Sequence, residues 1–299
     1  MRFTKKRYRF AYYSKSIVKL EVYSNYDSLK KSIVKIKSEG LSLGFIPTMG
    51  ALHEGHLSLI DNSIKENNYT LVTIFVNPLQ FNNPEDLKKY PRTLNQDKEL
   101  INTLESKNIL LYLPIYEELF PENDAFIPVN LKGMEREMEG KYRPGHFDGV
   151  VHVIHNLFKQ ISPDRAYFGE KDFQQLAIIK HITKEYNFKI EIVACKTIRS
   201  IDGLALSSRN KRLNETEKKD ALILYKALNK AKELKEIMPP KMVLNEIKSL
   251  FKNHVIELEY IFFVDANTLK ELHDEWSENS VCCIAAYCNN VRLIDCMNL

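Results

Sequence analysis

Apolar positions along the chain follow two periods. Ile17 to Val22 reads as a first strand, and Leu29, Ile33 and Ile36 then recur at helical spacing until Gly40 stops the helix. Leu41 to Ile46 and Leu71 to Val76 are continuous apolar runs, the pattern of strands buried on both faces of a parallel sheet. Pro47, which cannot donate to a ladder, is expected to end the first of these. Ile109 to Leu113 and Ile190 to Ala194 add short strands, and a further strand leads from Asp164 into a turn at Gly169. Helices are expected from His56 (Leu57, Leu59, Ile60, Ile64), after Tyr90-Pro91-Arg92-Thr93, where the helix carries Asp97, and from Val150 to Phe158.

Beyond Asn214 the character changes. Residues 215–252 are rich in lysine and glutamate with amphipathic spacing, as in surface helices. Glu257 to Val264 and Val281 to Tyr287 are strand-like, and Asn289-Asn290 predicts a hairpin before Val291 to Asp295. The expected class is α/β: a parallel sheet flanked by helices over residues 17–198, then a smaller α+β domain over 199–299. The boundary falls inside the stretch Thr197–Asn210, which places that stretch at an interdomain cleft.

Charge sharpens this division. The formal net charge is +4, but residues 1–20 hold Arg2, Lys5, Lys6, Arg7, Arg9, Lys15 and Lys19 and no acid, which leaves the remainder at −3. Phe3, Tyr8, Phe10, Tyr12 and Tyr13 interleave with those cations. Such a composition suits nucleic acid, a membrane surface or a presequence; a disordered extension over residues 1–16 is the expectation. The body being mildly acidic, neither a nucleic acid nor a membrane is expected as partner. No apolar run approaches the roughly 18 residues of a membrane span. The five cysteines (195, 282, 283, 288, 296) match no zinc spacing, and reduced thiols in the cytoplasm are expected.

The candidate chemistry starts at Gly44–His56. Strand, glycine turn and helix follow one another there, with His53 and His56 at the helix mouth. A helix N-terminus presents free N–H groups and partial positive charge, so it favours phosphate, and two imidazoles add donors. His-x-x-His also ligates zinc in other settings, but the metalloprotease signature is one residue longer and no cysteine lies near. Asn77 and Gln80 follow the second buried strand, where open α/β sheets gather their ligands. Lys171, in the turn Gly169-Glu170-Lys171-Asp172, is a point charge suited to phosphate. Ser207, Ser208 and Arg209 make a candidate triphosphate clamp, Arg209 by a bidentate bridge.

His53-x-Gly55-His56 after a strand resembles the adenylyl-transferring superfamily that includes class I aminoacyl-tRNA synthetases. The longer strings Pro47–His56, Phe75–Phe81, Arg143–Val150, Phe168–Leu176 and Asp202–Asn210 resemble, in order, the pantothenate synthetase (pantoate–β-alanine ligase) family. The resemblance runs from about Ile17 to Asp295. It implies a Rossmann-like domain, a small C-terminal lid and a homodimer. It also implies ATP-dependent condensation of pantoate with β-alanine through pantoyl adenylate, with magnesium accompanying ATP.

Carried over by motif, Met49, Gly50, His53 and His56 would contact ATP, with His56 as proton donor and His53 as phosphate partner. Gly169, Glu170, Lys171, Asp172, Ile198, Leu206, Ser207, Ser208 and Arg209 would complete that site. Gln80 and Gln175 would hold pantoate, joined by Asn77, and Asp97 matches an acid near the magnesium of some relatives. Lys196 departs from the pattern, since relatives commonly carry proline there. His152 and His155 also stand where other residues are usual, and both are read as structural. Two rival readings stay open at this point: another adenylyl transferase, acting on a nucleotide monophosphate, and a nucleic-acid-binding protein using the basic stretch.

Overall fold

The computed structural model describes residues 20–104, 106–124 and 126–299. The basic stretch 1–16 and the first residues of the expected opening strand lie outside them. Six parallel strands form one sheet: β1 (Glu21–Tyr23), β2 (Leu43–Thr48), β3 (Tyr69–Ile74), β4 (Ile109–Tyr112), β5 (Arg165–Gly169) and β6 (Glu191–Cys195), in the order β1-β4-β3-β2-β5-β6. The connected helices are α1 (Tyr26–Ser38), α2 (Glu54–Glu66), α3 (Pro84–Lys89), α4 (Leu94–Asn102), α5 (Tyr116–Leu119), α6 (Met138–Tyr142), α7 (His146–Ile161) and α8 (Phe173–Glu185).

Alternation along the strands splits the core in two. Phe45, Leu71, Leu110 and Ala166 face Leu29 of α1, Phe158 of α7 and Ile179 of α8. Their neighbours Ile46, Val72, Leu111 and Tyr167 face Ile60 of α2 and Ile101 of α4. Both faces are apolar, which is why the strands read as continuous runs.

One expectation fails instructively. Pro47 does not end β2: the strand runs on to Thr48, with Pro47 opposite Thr73 of β3. On its other side β2 pairs with β5 only at Gly44 and Phe45. By Pro47 no partner remains there to miss the donor that proline lacks.

Beyond β6 come α9 (Glu215–Asp220), α10 (Leu222–Lys235) and α11 (Pro240–Leu250), then an antiparallel sheet of β7 (Ile256–Asp265), β8 (Ser280–Cys288) and β9 (Val291–Asn298). One face of this sheet (Ile261, Phe263, Ile284) packs under α10 and α11. The other face (Tyr260, Cys283, Cys296) meets Met138 of α6 and Phe173 of α8. All five cysteines are free and buried. Among the described residues, no helix is long and apolar enough to cross a membrane.

Candidate active site

From β2 the chain proceeds to β3 on one side and, later, to β5 on the other, so the sheet order reverses beside β2. A cleft opens outside the carboxyl ends of these strands, where such folds gather ligands. Its walls come from the turn after β2, the start of α2, the segment after β3, the turn after β5 and residues 196–198 and 206–209.

The turn after β2 is built by backbone constraint. Gly50 has φ of +78°, and a Cβ there would fall 2.9 Å from Ile74 Cγ2, so only glycine fits. Thr48 Oγ1 donates to Thr73 O at 2.7 Å and accepts from Gly50 N at 3.1 Å. Asp97 closes the turn from beneath. Its two carboxylate oxygens accept from Ala51 N (3.0 Å) and Leu52 N (2.9 Å), and Thr93 donates its hydroxyl at 3.0 Å. At 1% exposure Asp97 does not line the cleft. Asp97, the acid expected near magnesium, is thus seen holding this turn, with both oxygens engaged by it.

His53 is the N-cap of α2. Its Nδ1 accepts from Gly55 N at 3.1 Å, while His56 Nδ1 accepts from His53 N at 3.3 Å. This is a reciprocal capping box made of two imidazoles. An Nδ1 that accepts carries no proton, so the N–H of each neutral ring is on Nε2. Gly55 explains the motif spacing: a Cβ there would fall 2.8 Å from the His53 ring, so any other residue would push the cap away. Burial, then the charges of Lys171 and Lys211, lower His53 to about 4. Burial, then His53 and the same lysines, hold His56 well below its ordinary value. At neutral pH the site therefore presents two uncharged Nε2–H donors at a helix N-terminus.

Gln80 also lines the cleft. Its Oε1 accepts from Asn77 Nδ2 at 3.2 Å and its Nε2 reaches Met49 Sδ at 3.2 Å. Asn77, 1% exposed, uses its remaining capacity on Gly149 O (3.0 Å) and Leu79 N (3.2 Å). Asn77, expected to join Gln80 in binding a ligand, lines the same cleft, and its amide also orients Gln80. Gly149 of α7 allows the close approach: a Cβ there would fall 2.6 Å from Gln80 N. Gln175 of α8 lines the same cleft, whereas its neighbour Gln174 turns away to Met134 O and Glu137 O.

Opposite lie the cations. Lys171 is mostly buried, with Nζ 3.6 Å from Asp172 Oδ2. Gly169 has open space where a Cβ would sit, which leaves room for a ligand against the backbone. Ile198, Leu206 and Ser207 are wall residues, and Ser208 Oγ donates to Ala51 O at 3.0 Å, tying this loop to the first turn. Arg209 lines the cleft but donates to Asp86 at 2.6 Å; Asp86 also takes Arg212 at 3.0 Å, and Arg209 lies over the Tyr90 ring. Lys196 joins the wall as well.

Of the motif residues, Met49, Gly55, His53, His56, Asn77, Gln80, Gly169, Lys171, Asp172, Gln175, Ile198 and Leu206 to Arg209 share one cleft. Glu170 instead turns its carbonyl to Cys296 Sγ at 3.0 Å. Tyr90 is a wall residue that sequence reasoning used only to start a helix. Gly149 was signalled by a glycine inside an apolar helix, a pattern that calls for a packing reason. His152 and His155 lie elsewhere, as read: His152 bonds Asp124 at 2.6 Å and stacks on Phe126, and His155 bonds Asn156.

With this geometry in view, comparison with known proteins is direct. Residues 21–298 match the family described as pantoate-beta-alanine ligase. The pantothenate synthetase of Christiangramia forsetii is 43% identical over 92% of this chain and 98% of its own, and that of Sulfurihydrogenibium is 42% identical over 92% and 99%. The crystal structure of pantothenate synthetase from Thermus thermophilus superposes with a TM-score of 0.84 at 35% identity, covering 93% of this chain and 99% of the other. The Francisella tularensis pantoate-beta-alanine ligase, complexed with beta-gamma ATP and beta-alanine, superposes at 0.73 with 32% identity over 94% and 98%. A family match across nearly all of the described chain, together with relatives this similar over their whole length, shows that the chain belongs to the pantoate–β-alanine ligase family.

Proposed function

We propose that the protein condenses pantoate with β-alanine in two steps through pantoyl adenylate. In the first, a carboxylate oxygen of pantoate attacks the α-phosphorus of ATP and the bond to pyrophosphate breaks. In the second, the neutral amine of β-alanine attacks the acyl carbon, the acyl–oxygen bond breaks, AMP leaves with the bonding electrons, and the amine proton passes to solvent. The observation that carries this reading is the pair of Nε2–H donors at the mouth of α2, sharing a cleft with Lys171, Arg209 and two glutamine amides.

The first step brings anion against anion. Fixed N–H groups and buried cations lower that barrier because they are oriented before charge develops. His53 and His56 supply uncharged donors, Lys171 a cation for the leaving pyrophosphate, and Arg209 a second cation once it exchanges Asp86 for phosphate. Gln80 and Gln175 offer amides to the hydroxyl and carboxylate of pantoate. That the Francisella tularensis relative is complexed with beta-gamma ATP and beta-alanine supports the choice of substrates.

Magnesium enters as part of the MgATP substrate. No group of three metal-ligating side chains occurs among the described residues, and Asp97 is committed to backbone N–H groups, so the donor set does not fit a resident ion. Magnesium commonly keeps its waters and rides on substrate phosphates.

The deciding experiment is isotope exchange between pyrophosphate and ATP. Exchange should require pantoate and proceed without β-alanine. Gln80→Ala should weaken the dependence on pantoate while sparing ATP, because a buried amide discriminates strongly against partners lacking its hydrogen bond. Exchange supported by a nucleotide monophosphate, or absent with pantoate, would favour a different transferase; a requirement for β-alanine would reverse the order of the steps. Within the same assay, Lys171→Met should slow exchange more than Lys196→Met, since Lys171 follows β5, the neighbour of β2, beside the two histidines. Equal losses would assign the phosphate to both cations.

A further inference from the structure

Behind Gln80 a chain of buried polar groups runs to the C-terminal sheet. The Gln80 carbonyl accepts from His146 Nδ1 at 2.8 Å and from Arg143 Nη2 at 3.4 Å. Arg143 Nη1 lies 3.1 Å from His146 Nε2; a guanidinium only donates, so Nε2 accepts and the His146 proton is on Nδ1, aimed at Gln80. The same Nη1 donates to Glu139 Oε2 at 3.2 Å. Glu139, on α6, is gripped from β9 by the fork of Arg292, at 2.8 and 2.6 Å, and from β7 by the Tyr260 hydroxyl at 2.7 Å. Arg292 Nε also donates to Glu259 at 2.8 Å.

The electrostatics keep Glu139 and His146 each in one state. Burial raises the Glu139 carboxyl, but the Arg292 hydrogen bonds and then the Arg292 and Arg143 charges outweigh it and hold it at about 2. Burial, then Arg143, lowers His146 to about 4, so it stays neutral. A buried ionic network is weak support for stability, because desolvation offsets most of its attraction. What it does well is fix geometry. Here it fixes the backbone of one residue, on the segment that Gly149 lets α7 touch directly.

We propose that Arg292 is a positioning residue for the carboxylate substrate: through Glu139, Arg143 and His146 it sets the Gln80 backbone, and with it the amide that receives pantoate. The proposal rests on the assignment of pantoate to Gln80. It makes substrate affinity at the parallel sheet depend on a side chain of the C-terminal sheet that touches no substrate.

The test uses the full chain and the pyrophosphate exchange assay, with KM measured separately for pantoate and ATP and thermal unfolding followed in parallel. Arg292→Lys keeps the charge but loses the fork, and Glu139→Gln keeps the shape but loses the charge. Each should raise the pantoate KM roughly tenfold, as expected for a small misplacement of a binding group. The ATP KM should stay within about twofold, since the phosphate-side cations are not in the chain. Tyr260→Phe, which leaves both arginines in place, should shift the pantoate KM in the same direction by less, and it decides the matter if the charge variants do not fold. Parallel rises in both KM values, or an unmoved pantoate KM in a folded variant, would overturn the proposal. Gln80→Ala separates the two ideas. If it raises the pantoate KM and Arg292→Lys does not, the relay alone is wrong; if it leaves the pantoate KM unmoved, the assignment of pantoate to Gln80 is wrong and the relay falls with it.

Discussion

His56→Ala is expected to slow pantoate-dependent pyrophosphate exchange by roughly 10²–10³-fold, the usual loss for one preorganised donor at a developing charge. Two effects combine. The Nε2–H is removed from the cleft, and His53 N loses the Nδ1 that completes the capping box. The second effect bears on stability by about 1 kcal/mol, the scale of one cap, so the variant should fold and unfold much as the parent does. A normal exchange rate would show that His56 only caps the helix. The pH profile supplies an independent check. His53 is lowered from its ordinary 6.5 to about 4, so the stability it lends is complete above 6.5 and is lost as pH falls from there towards 4. Protonation would also put a hydrogen on the Nδ1 that must accept from Gly55, opening the cap. Exchange should therefore hold steady from pH 7 upward as far as these rings are concerned and fall on the acid side. An inflection above pH 7 that disappears in His53→Ala would contradict the neutral-donor reading.

Much of the parallel sheet was legible because its strands are buried on both faces. The run Ile109 to Leu113 carries no charged or amide side chain, only Thr73 breaks the apolar run Leu71 to Val76, and each lies within two residues of its strand. Pro47 misled because a proline's cost depends on whether a neighbour stands opposite, and the extent of pairing with β5 is a property of the fold. The histidines, Lys171 and Gln80 were legible because their motifs are local: strand, turn and helix are contiguous, so spacing fixes their placement. The bonds by which Asp97 holds the turn and Asn77 reaches α7 were not legible, for the converse reason. Their partners, Ala51 and Gly149, lie far off in sequence, and nothing local says that a carboxylate or an amide is already satisfied. Arg292 was invisible for the same reason, since its partner Glu139 lies on a short helix of the other sheet's half of the chain.

Asp97→Asn is expected to destabilise the protein by on the order of 3 kcal/mol and to cut exchange sharply, with neither loss restored by magnesium. The carboxylate accepts from two adjacent backbone N–H groups and a hydroxyl in a site that water does not reach. Hydrogen bonds to a buried charge are each worth about 1.5–3 kcal/mol, and the amide keeps only one acceptor oxygen. Its NH2 would face an N–H, donor against donor, so one of Ala51 and Leu52 would be left unsatisfied. Relaxation of that clash moves the turn on which Gly50, His53 and the start of α2 depend, which is how a residue outside the cleft would reach the chemistry. A magnesium ligand at this position would behave otherwise: the nucleotide-free protein would unfold as the parent does, and the defect would lie in the concentration of magnesium required. Denaturant unfolding without nucleotide, followed by exchange titrated with magnesium, separates the two. Unchanged stability with a shifted magnesium requirement would return Asp97 to the metal. Lost stability with an unshifted requirement would leave it as the anchor of the turn.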